Sequence, residues 1–331
     1  MITFYFNNKP INNFNVIWTN RILFEKLQKK EYEKDIHLFI IRPDENPFEI
    51  INLTLIKNDN KIILWYLDTI SIDILQDYKQ IEMLVEMGEE VLVIFPDDVL
   101  DKKIPFNFIN TYSMADCILE QQNLMNNTIQ FLFWNSKFLY RQKHFLSLNG
   151  TPKPHRVDLL SYITKNNFLE KFDISFNSTF WDDRLDSINL DLKETTPYTS
   201  TKLNLPLYFN SYIDIVSMAK FKESGVYLDE KIYKSLVCMK PFIVLGQYKT
   251  LDVLKEYGFQ TFSDIIDESY DNEKDYVKRF EMISSELNRI SLLSINEVDK
   301  LYWKVEGVLI HNSNHLRKYI NKINIKLLES I

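Results

Sequence analysis

The chain has 331 residues, which suggests about two domains at the usual size of ~150 residues each. This length can bury cores without a disulfide or metal site for stability. Hydrophobic residues make up 45% and charged residues 26%, a composition typical of a soluble globular protein. The net charge of −7 disfavours a protein whose main role is to bind nucleic acid, because phosphate backbones attract lysine and arginine.

Glycine is unusually scarce for a chain of this length. There are 6 in the chain, at positions 88, 150, 225, 246, 258 and 307. Walker loops and GxGxxG dinucleotide fingerprints both need clustered glycines, so the sequence excludes both. A phosphate site in this protein would have to be built from helix N-termini and side chains.

The termini and cysteines indicate the compartment. Cys117 and Cys238 lie far apart in mostly apolar surroundings, as expected for buried free thiols in a reducing environment. The N-terminal residues lack the basic and apolar regions of a signal peptide. No stretch reaches the ~18 uninterrupted apolar residues of a membrane span. We expect a soluble cytoplasmic protein.

The first part of the chain alternates predicted strands and helices. Short β-branched and aromatic runs predict strands at 2–6, 36–41, 61–66, 91–95 and 131–134. Apolar residues at helical spacing predict helices at 21–29 and 74–87. This alternation is typical of a mostly parallel sheet covered by helices.

A second series begins near residue 143. Strands are predicted at 144–149, 212–218 and 241–246, with helices at 155–164, 229–239, 250–257 and onward from 277. The polar segment 177–205 has little periodicity and is interpreted as a long excursion. Two α/β series without a flexible linker predict an α/β fold of two Rossmann-like domains facing a cleft, with ligands at the carboxyl ends of the strands.

The helix start at 229–231 is the first candidate site. Asp229 and Glu230 suit the first turn, because carboxylates there cap the helix and complement its dipole. The positive charge of Lys231 is unfavourable at the N-terminal end of the helix dipole unless an anion lies nearby. A bound phosphate would supply that anion, with Glu230 on a ribose. The alternative is a solvated helix start with ordinary surface charges.

The strand–turn–helix at 145–160 is the second candidate. Asn149 and Gly150 end the predicted strand, and Arg156 enters the first turn of the helix. An arginine near the carboxyl end of a strand suits bidentate phosphate binding. The alternative is an ion pair between Arg156 and an acid such as Asp158 or Asp173.

Several segments in order carry a family resemblance. They are SLNGTPKPHR at 147–156, DEKIYKS at 229–235, PFIVLG at 241–246, LKEYGFQTF at 254–262 and DESYD at 267–271. This series, which covers about 143–285, resembles the donor half of GT-B glycosyltransferases of the fucosyltransferase and exostosin type. It resembles more closely a group of uncharacterised glycosyltransferase-like proteins common in phage and bacterial sequences.

The resemblance implies a nucleotide-sugar donor bound by the C-terminal domain. Glu230 would hold the ribose, Lys231 and Arg156 the pyrophosphate, and Asn149 would line the same cleft. Lys234 matches the lysine of the family's Lys-Pro pair and joins the donor-binding residues, although Ser235 replaces the proline.

The resemblance also divides the chain. Residues 1–142 would form the acceptor domain, 143–315 the donor domain, and 316–331 a C-terminal helix that can cross back. One departure concerns activity: Met218-Ala219 stands where the family pattern has an acid after Val-Ser.

No metal site is expected. The chain has no Asp-x-Asp triplet, and the acids Asp182, Asp183 and Asp186 are interpreted as a solvated patch. His311 and His315 have the i, i+4 spacing of a zinc pair but no third ligand nearby, which favours surface histidines. Beyond the sugar donor as substrate, the sequence implies no cofactor.

Glycosyl transfer with inversion needs a base that takes the proton of the acceptor hydroxyl. Carboxylates directly after predicted strands are the candidates: Asp68, and Asp97 or Asp98. Asp68 is preferred because it follows a buried strand. For each of these acids the alternative is a helix N-cap or a turn.

The sequence therefore predicts a metal-independent glycosyltransferase that moves a sugar from a nucleotide-sugar to a hydroxyl acceptor. A glycan or small molecule is favoured over modified DNA because the chain is acidic. The alternative is a catalytically inactive nucleotide-binding or interaction protein of the same fold. The donor sugar, the stereochemistry and the oligomeric state are left open.

Overall fold

The structure is a computed structural model. It describes residues 2–6, 9–11, 21–41, 61–66, 90–95, 97–98, 108–110, 115–138, 141–150, 152–175, 202–222 and 225–331. The chain divides into two compact units. The first comprises 1–117, 223–228 and 320–331, and the second comprises 118–222 and 229–319. The predicted domain boundaries and the predicted cleft stay predictions.

The first unit contains a six-stranded sheet in the order β2-β1-β3-β4-β5-β7. Its strands are β1 (Ile2–Phe6), β2 (Lys9–Ile11), β3 (Ile36–Ile41), β4 (Lys61–Tyr66), β5 (Glu90–Phe95) and β7 (Phe108–Asn110). All neighbours are parallel except β1 and β2. A separate antiparallel pair joins β6 (Asp97–Asp98) to β11 (Val226–Tyr227).

The core of the first unit is built from aromatic residues. Helix α1 (Arg21–Gln28) places the ring of Phe24 edge-on to Trp65 at 4.7 Å and to Phe4 at 5.7 Å. Leu327 and Ile331, near the end of the chain, belong to the same buried cluster. The Lys61 ammonium donates to the carbonyl of Ser330 at 2.8 Å, so the last residues are held in this unit by packing and hydrogen bonding.

The second unit contains a four-stranded parallel sheet in the order β12-β10-β8-β9. Its strands are β8 (Lys143–Leu148), β9 (Phe172–Ser175), β10 (Ser211–Ser217) and β12 (Phe242–Leu245). Every residue of β10 and β12 is buried, as expected for strands covered on both faces.

The remaining helices follow in chain order. They are α2 (Ala115–Asn135), α3 (Pro154–Lys165), α4 (Leu205–Asn210), α5 (Glu230–Val237), α6 (Thr250–Glu256), α7 (Tyr276–Ser291), α8 (Ile295–Lys304) and α9 (Glu306–Ser330). Helix α9 begins in the second unit, and its last residues belong to the first.

These elements confirm the predicted α/β fold class with parallel sheets. The predicted strand at 131–134 is wrong, because these residues lie in α2. The aromatic run FLFW favours a strand locally. Over the longer segment, buried Ile118, Ile129 and Phe133 repeat at helical spacing, and that period decides the structure. The predicted helix 74–87 and most of the excursion 177–205 lie outside the described residues.

Gly246, directly after β12, lies where the second unit is packed too tightly for a larger side chain. A Cβ there would lie 2.7 Å from Val244 Cγ1 and 2.9 Å from Met218 Cγ, whereas a Cβ at Gly307 meets nothing within 4 Å. We expect Gly246→Ala to lower the free energy of unfolding by about 2 kcal/mol. Gly307→Ala should leave it unchanged or raise it by up to ~1 kcal/mol. Urea unfolding of both variants makes the comparison, and equal effects would contradict the packing argument.

Candidate active site

The order of the second sheet indicates where a ligand would bind, at the carboxyl edge of the sheet. From central strand β8 the chain first forms β9 on one side and then returns to form β10 on the other side. Connections that leave neighbouring parallel strands in opposite directions open a ligand crevice at their carboxyl ends. Asn149 follows β8, and Ser217 ends β10. The candidate site is therefore expected at these two positions.

Three buried oxygens at this edge lack a hydrogen-bond partner among the described residues. They are Asn149 Oδ1, Ser175 Oγ and Ser217 Oγ, one at the end of each of three adjacent strands. Asn149 is oriented by its amide, which donates to Ser147 Oγ at 3.0 Å. Buried polar atoms without partners are rare because each costs about 1–3 kcal/mol. These oxygens are suited to receive hydrogen bonds from a ligand.

The first turn of α3 is bound to the end of β10 by basic side chains. Arg156 donates through Nη2 to the carbonyls of Ser217 and Met218, each at 3.0 Å. His155 Nε2 bonds the same Met218 carbonyl at 3.0 Å, and the Lys153 ammonium donates to the carbonyl of Ala219. Met218-Ala219, the departure from the family pattern, is thus the backbone segment on which three basic residues converge.

Asp229 links this segment to helix α5, for which it is the N-cap. Its Oδ1 accepts from the backbone N–H of Lys231 at 3.1 Å. Its Oδ2 accepts from the backbone N–H of Ala219 at 2.8 Å and from the Lys231 ammonium at 3.1 Å. Burial raises the pKa of Asp229, although the ammonium of Lys231 opposes that shift.

Glu230 completes the charge arrangement around Lys231. The Lys231 ammonium donates to Glu230 Oε1 at 2.9 Å as well as to Asp229. Burial by itself would lower the pKa of Lys231, but the two carboxylates outweigh it and hold the pKa above its ordinary value. The anions that balance a cation in this first turn are therefore the protein's own side chains, so the dipole argument no longer requires a phosphate there.

We name Asn149, Arg156, Ser217, Asp229, Glu230 and Lys231 the carboxyl-edge cluster. All six are buried. The cluster contains two cations and two carboxylates, so its formal charge is balanced. It combines strong donors with oxygens available as acceptors, and such a surface suits a ligand that carries both phosphate and hydroxyl groups.

Lys234 lies one helical turn after Glu230 and is also buried. Burial lowers its pKa to about 8, against the opposing charge of Glu230. The next residue, Ser235, donates to Asp214 Oδ2, and burial raises the pKa of Asp214 to about 6. Ser235, where the family has proline, is thus bonded into the interior of the unit beneath α5.

The motif at 267–271 supports the backbone. The hydroxyl of Tyr270 accepts from the N–H of Val244 at 3.0 Å, within β12. Asp271 accepts from the N–H of Leu251 at 3.1 Å, at the start of α6, and burial raises its pKa to about 6. Glu268 accepts from the N–H of Phe262. These hydrogen bonds brace α6 and β12, which gives the motif a structural role.

Several other sequence candidates fall outside the described residues. Asp68 is outside the described residues, as are Asp182, Asp183 and Asp186. Asp97 and Asp98 form β6. Their predicted roles stay predictions.

The two histidines have structural contacts. His311 Nε2 bonds the carbonyl of Gly258 at 3.1 Å, and His315 Nε2 bonds that of Tyr257 at 2.8 Å. The rings stack with centroids 5.5 Å apart. They therefore bind the carbonyls that end α6. In the described part of the chain, no three histidine, cysteine or acidic side chains are grouped as metal ligands.

Sequence reasoning missed His155, Lys153, Ser175 and Ser217 as members or supports of this site. The signal that could have found Ser217 is its place at the end of a fully buried strand. The basic triplet at 153–156 was visible in sequence, but its target, a pair of backbone carbonyls, was not.

The chain matches no protein-family model and no curated protein. Solved structures do match. The UDP-forming α,α-trehalose-phosphate synthase from Burkholderia vietnamiensis is 13% identical, with a TM-score of 0.47 over 94% of this chain and 75% of that chain. The E. coli trehalose-6-phosphate protein bound with UDP-2-fluoro glucose is 12% identical, with a TM-score of 0.42 over 92% and 76%.

The wall teichoic acid polymerase TagF is 12% identical, with a TM-score of 0.28 over 93% of this chain and 84% of that chain. These neighbours are GT-B glycosyltransferases at low sequence identity. No residue role is carried over from them, because similarity this distant does not align side chains. No helix among the described residues is long and apolar enough to cross a membrane.

Proposed function

We propose that the protein is a metal-independent glycosyltransferase whose second unit binds a nucleotide-sugar donor at the carboxyl-edge cluster. The observation that carries the proposal is the set of buried oxygens of Asn149, Ser175 and Ser217, which have no hydrogen-bond partner among the described residues and lie at three adjacent strand ends. A hydroxyl-rich ligand that reached them would satisfy these oxygens, and the sheet order favours a ligand site at this edge. The motif resemblance to the fucosyltransferase and exostosin type supports the same conclusion.

In this proposal the cluster exchanges internal contacts for ligand contacts. Glu230, whose Oε1 now accepts from Lys231, would accept from ribose hydroxyls. Arg156 and Lys231 would turn donors toward the pyrophosphate, and Asn149 would bond the sugar or ribose. Lys234, buried in the next turn, would add positive charge behind them.

The transfer itself would proceed by attack of an acceptor hydroxyl on the anomeric carbon of the donor. The new carbon–oxygen bond forms as the bond to the phosphate oxygen breaks, and the nucleotide leaves with the electron pair. Asp68 would take the hydroxyl proton as general base. A glycan or small hydroxyl compound is the proposed acceptor, since the acidic chain is less suited to DNA.

The second candidate function is a GT-B-like nucleotide-binding or interaction protein without catalytic activity. Its supporting observation is that Met218-Ala219 stands where the family pattern has an acid after Val-Ser. The backbone of this segment bonds Arg156, Lys153 and Asp229. Binding without turnover would favour this function.

Calorimetry with UDP, GDP and CMP tests binding. Glu230→Gln and Arg156→Lys should each lower the affinity for the nucleotide by roughly 10–100-fold. Each substitution alters a charge-assisted hydrogen bond worth about 1.5–3 kcal/mol. Asp267→Asn is the matched control, since Asp267 is exposed and bonds Ser269 outside the cluster. Thermal melting checks that the variants fold.

No binding of any nucleotide by the full chain would overturn the transferase and the nucleotide-binding function, and would leave an interaction protein of the same fold. Binding unaffected by both cluster variants would overturn the assigned site. If nucleotide binds, donor hydrolysis or transfer that disappears in Asp68→Asn supports catalysis. If nucleotide binds but no UDP-, GDP- or CMP-sugar is turned over, the transferase function is overturned and the nucleotide-binding function is supported.

A further inference from the structure

Helix α2 (Ala115–Asn135) has apolar side chains on two opposite faces. Its inward face is packed: Ile129 and Phe133 are buried, and the Gln122 amide donates to the carbonyl of Ser313 at 3.1 Å. The ring of Phe133 lies 5.4 Å from that of Trp303. A surface helix normally carries polar residues on its other side, and a helix that is apolar all round is typically buried.

The outward face of α2 carries a stripe of large exposed side chains. Leu124 is 73% exposed, Phe131 64%, Trp134 43% and Phe138, just after the helix, 82%. Together with exposed Asn127 they follow one another at steps of three, four, three and four residues. That spacing is the heptad seam by which helices pack against helices. We name these five residues the α2 stripe.

Most of the segment that carries the stripe has no charged residue of its own. Residues 121–136 contain no Asp, Glu, Lys or Arg, although 26% of the whole chain is charged. Amide side chains fill the segment instead. Two cations border the segment, and both are bonded. The Lys137 ammonium lies 3.0 Å from Glu306 Oε1 and 4.9 Å from the centre of the Trp134 ring. The Arg317 guanidinium donates to Asn123 Oδ1 at 2.9 Å. Depletion of charged residues marks the centre of protein interfaces rather than free surface.

The scarcity of charge along the stripe decides which partner fits. A helix that binds membranes normally carries several lysines or arginines beside its apolar face, whereas the two cations that border this stripe are already bonded to Glu306 and Asn123. A strongly charged protein partner would find little complementary charge, since residues 121–136 are all uncharged. A second copy of this chain, whose net charge is −7, can approach here without like-charge repulsion and offers the same heptad spacing. A symmetric contact of a patch with itself is the commonest form of oligomer interface.

We propose that two copies of the chain associate through the α2 stripe, which packs against its own counterpart. The four large side chains expose on the order of 500 Å², at the upper end of the largest patch found on monomers. With the amide rim, the contact approaches the ~800 Å² per partner of a standard interface. This area is consistent with a reversible dimer. The dimer goes beyond the proposed glycosyl transfer and is independent of it.

Sedimentation velocity of the full chain from about 1 to about 100 μM tests the proposal, a range that brackets micromolar association. The wild type should shift from monomer to dimer. Phe131→Glu should weaken the dimer more than about tenfold, because it buries a charge at the centre of the seam. The matched control is Leu292→Glu, since Leu292 is 74% exposed outside the stripe. It should leave the dimer unchanged.

The variant Asn127→Leu distinguishes a dimer that forms specifically through the α2 stripe from an effect of misfolding. A polar residue in a heptad seam lowers its stability, so this variant should tighten the dimer about fivefold or more. A wild type that stays monomeric throughout would overturn the proposal, as would a dimer unaffected by Phe131→Glu at an unchanged melting temperature. Monomers that bind neutral phosphatidylcholine vesicles through Phe131 would assign the stripe to a lipid surface and equally overturn the dimer.

Discussion

Arg279→Met is expected to lower the free energy of unfolding by about 4 kcal/mol. The Arg279 side chain, in α7, is 2% exposed. Its Nε donates to the carbonyl of Gly246 at 3.1 Å and its Nη1 to that of Glu273 at 2.7 Å, while Nη2 donates to Phe221. The guanidinium also lies over the Phe221 ring at 4.7 Å. Methionine would fill the space but leave these buried carbonyls without donors.

Urea unfolding at neutral pH measures the effect. Lys278→Met is the matched control, because Lys278 is the preceding residue on the same helix and its side chain is exposed. The control should change the free energy of unfolding by less than ~0.5 kcal/mol. Equal, small effects of both substitutions would contradict the bracing role of Arg279. A lower m-value in Arg279→Met would instead report a change in the unfolded or native ensemble.

Lys231→Met is expected to lower the free energy of unfolding by about 3–5 kcal/mol at pH 7, the usual cost of removing one partner of a buried ion pair. The variant leaves Asp229 and Glu230 buried without the ammonium that now bonds both. In the wild type, the raised pKa of Lys231 makes its stabilisation fully present below about pH 10 and lost as the pH rises further.

The pH dependence of Lys231→Met gives a second readout. Without the ammonium, the pKa of Asp229 should rise further, because burial disfavours its charged form and Lys231 no longer opposes that shift. A carboxyl group whose pKa is higher in the folded state than in the unfolded chain favours folding most at a pH below its unfolded pKa of ~4. This contribution to the folded state is lost as the pH rises. The deficit relative to wild type should therefore shrink between pH 7 and pH 5.

A double variant checks the coupling. Because Glu230 loses its buried charge in Glu230→Gln, the double variant Glu230→Gln, Lys231→Met should be destabilised by less than the sum of the two single effects. Strict additivity, or a deficit in Lys231→Met that is constant with pH, would contradict the arrangement of Lys231 between two carboxylates.

Local pattern was enough to predict most of the regular elements of the second unit. The predicted strand at 212–218 and helix at 155–164 each fall within about one residue of β10 and α3. Continuous apolar runs and the Pro-His-Arg helix start carry that information locally. The strand predicted at 131–134 is wrong because aromatic residues occur in both strands and helices. Only the helical period over the whole of α2 distinguishes the two kinds of element.

For the candidate site, the sequence identified the residues and the structure identified their partners. Arg156 and Lys231 were both assigned to phosphate from their places at helix starts. In the fold, Arg156 donates to two carbonyls at the end of β10, and Lys231 lies between two carboxylates. Charge and position along the chain do not say which distant groups will neutralise a side chain, since that depends on which loops the sheet order brings together.

By itself, the sequence determined the α/β class, the exclusion of glycine-rich phosphate loops and the segments from which a donor site would be built. These follow from composition, period and motif, which are local properties. Only the tertiary structure decided that Asn149, Ser175 and Ser217 end adjacent strands with buried oxygens to spare, and that α2 keeps a neutral apolar face outward. Strand order and burial are set by contacts between residues far apart in the chain, so no local pattern contains them.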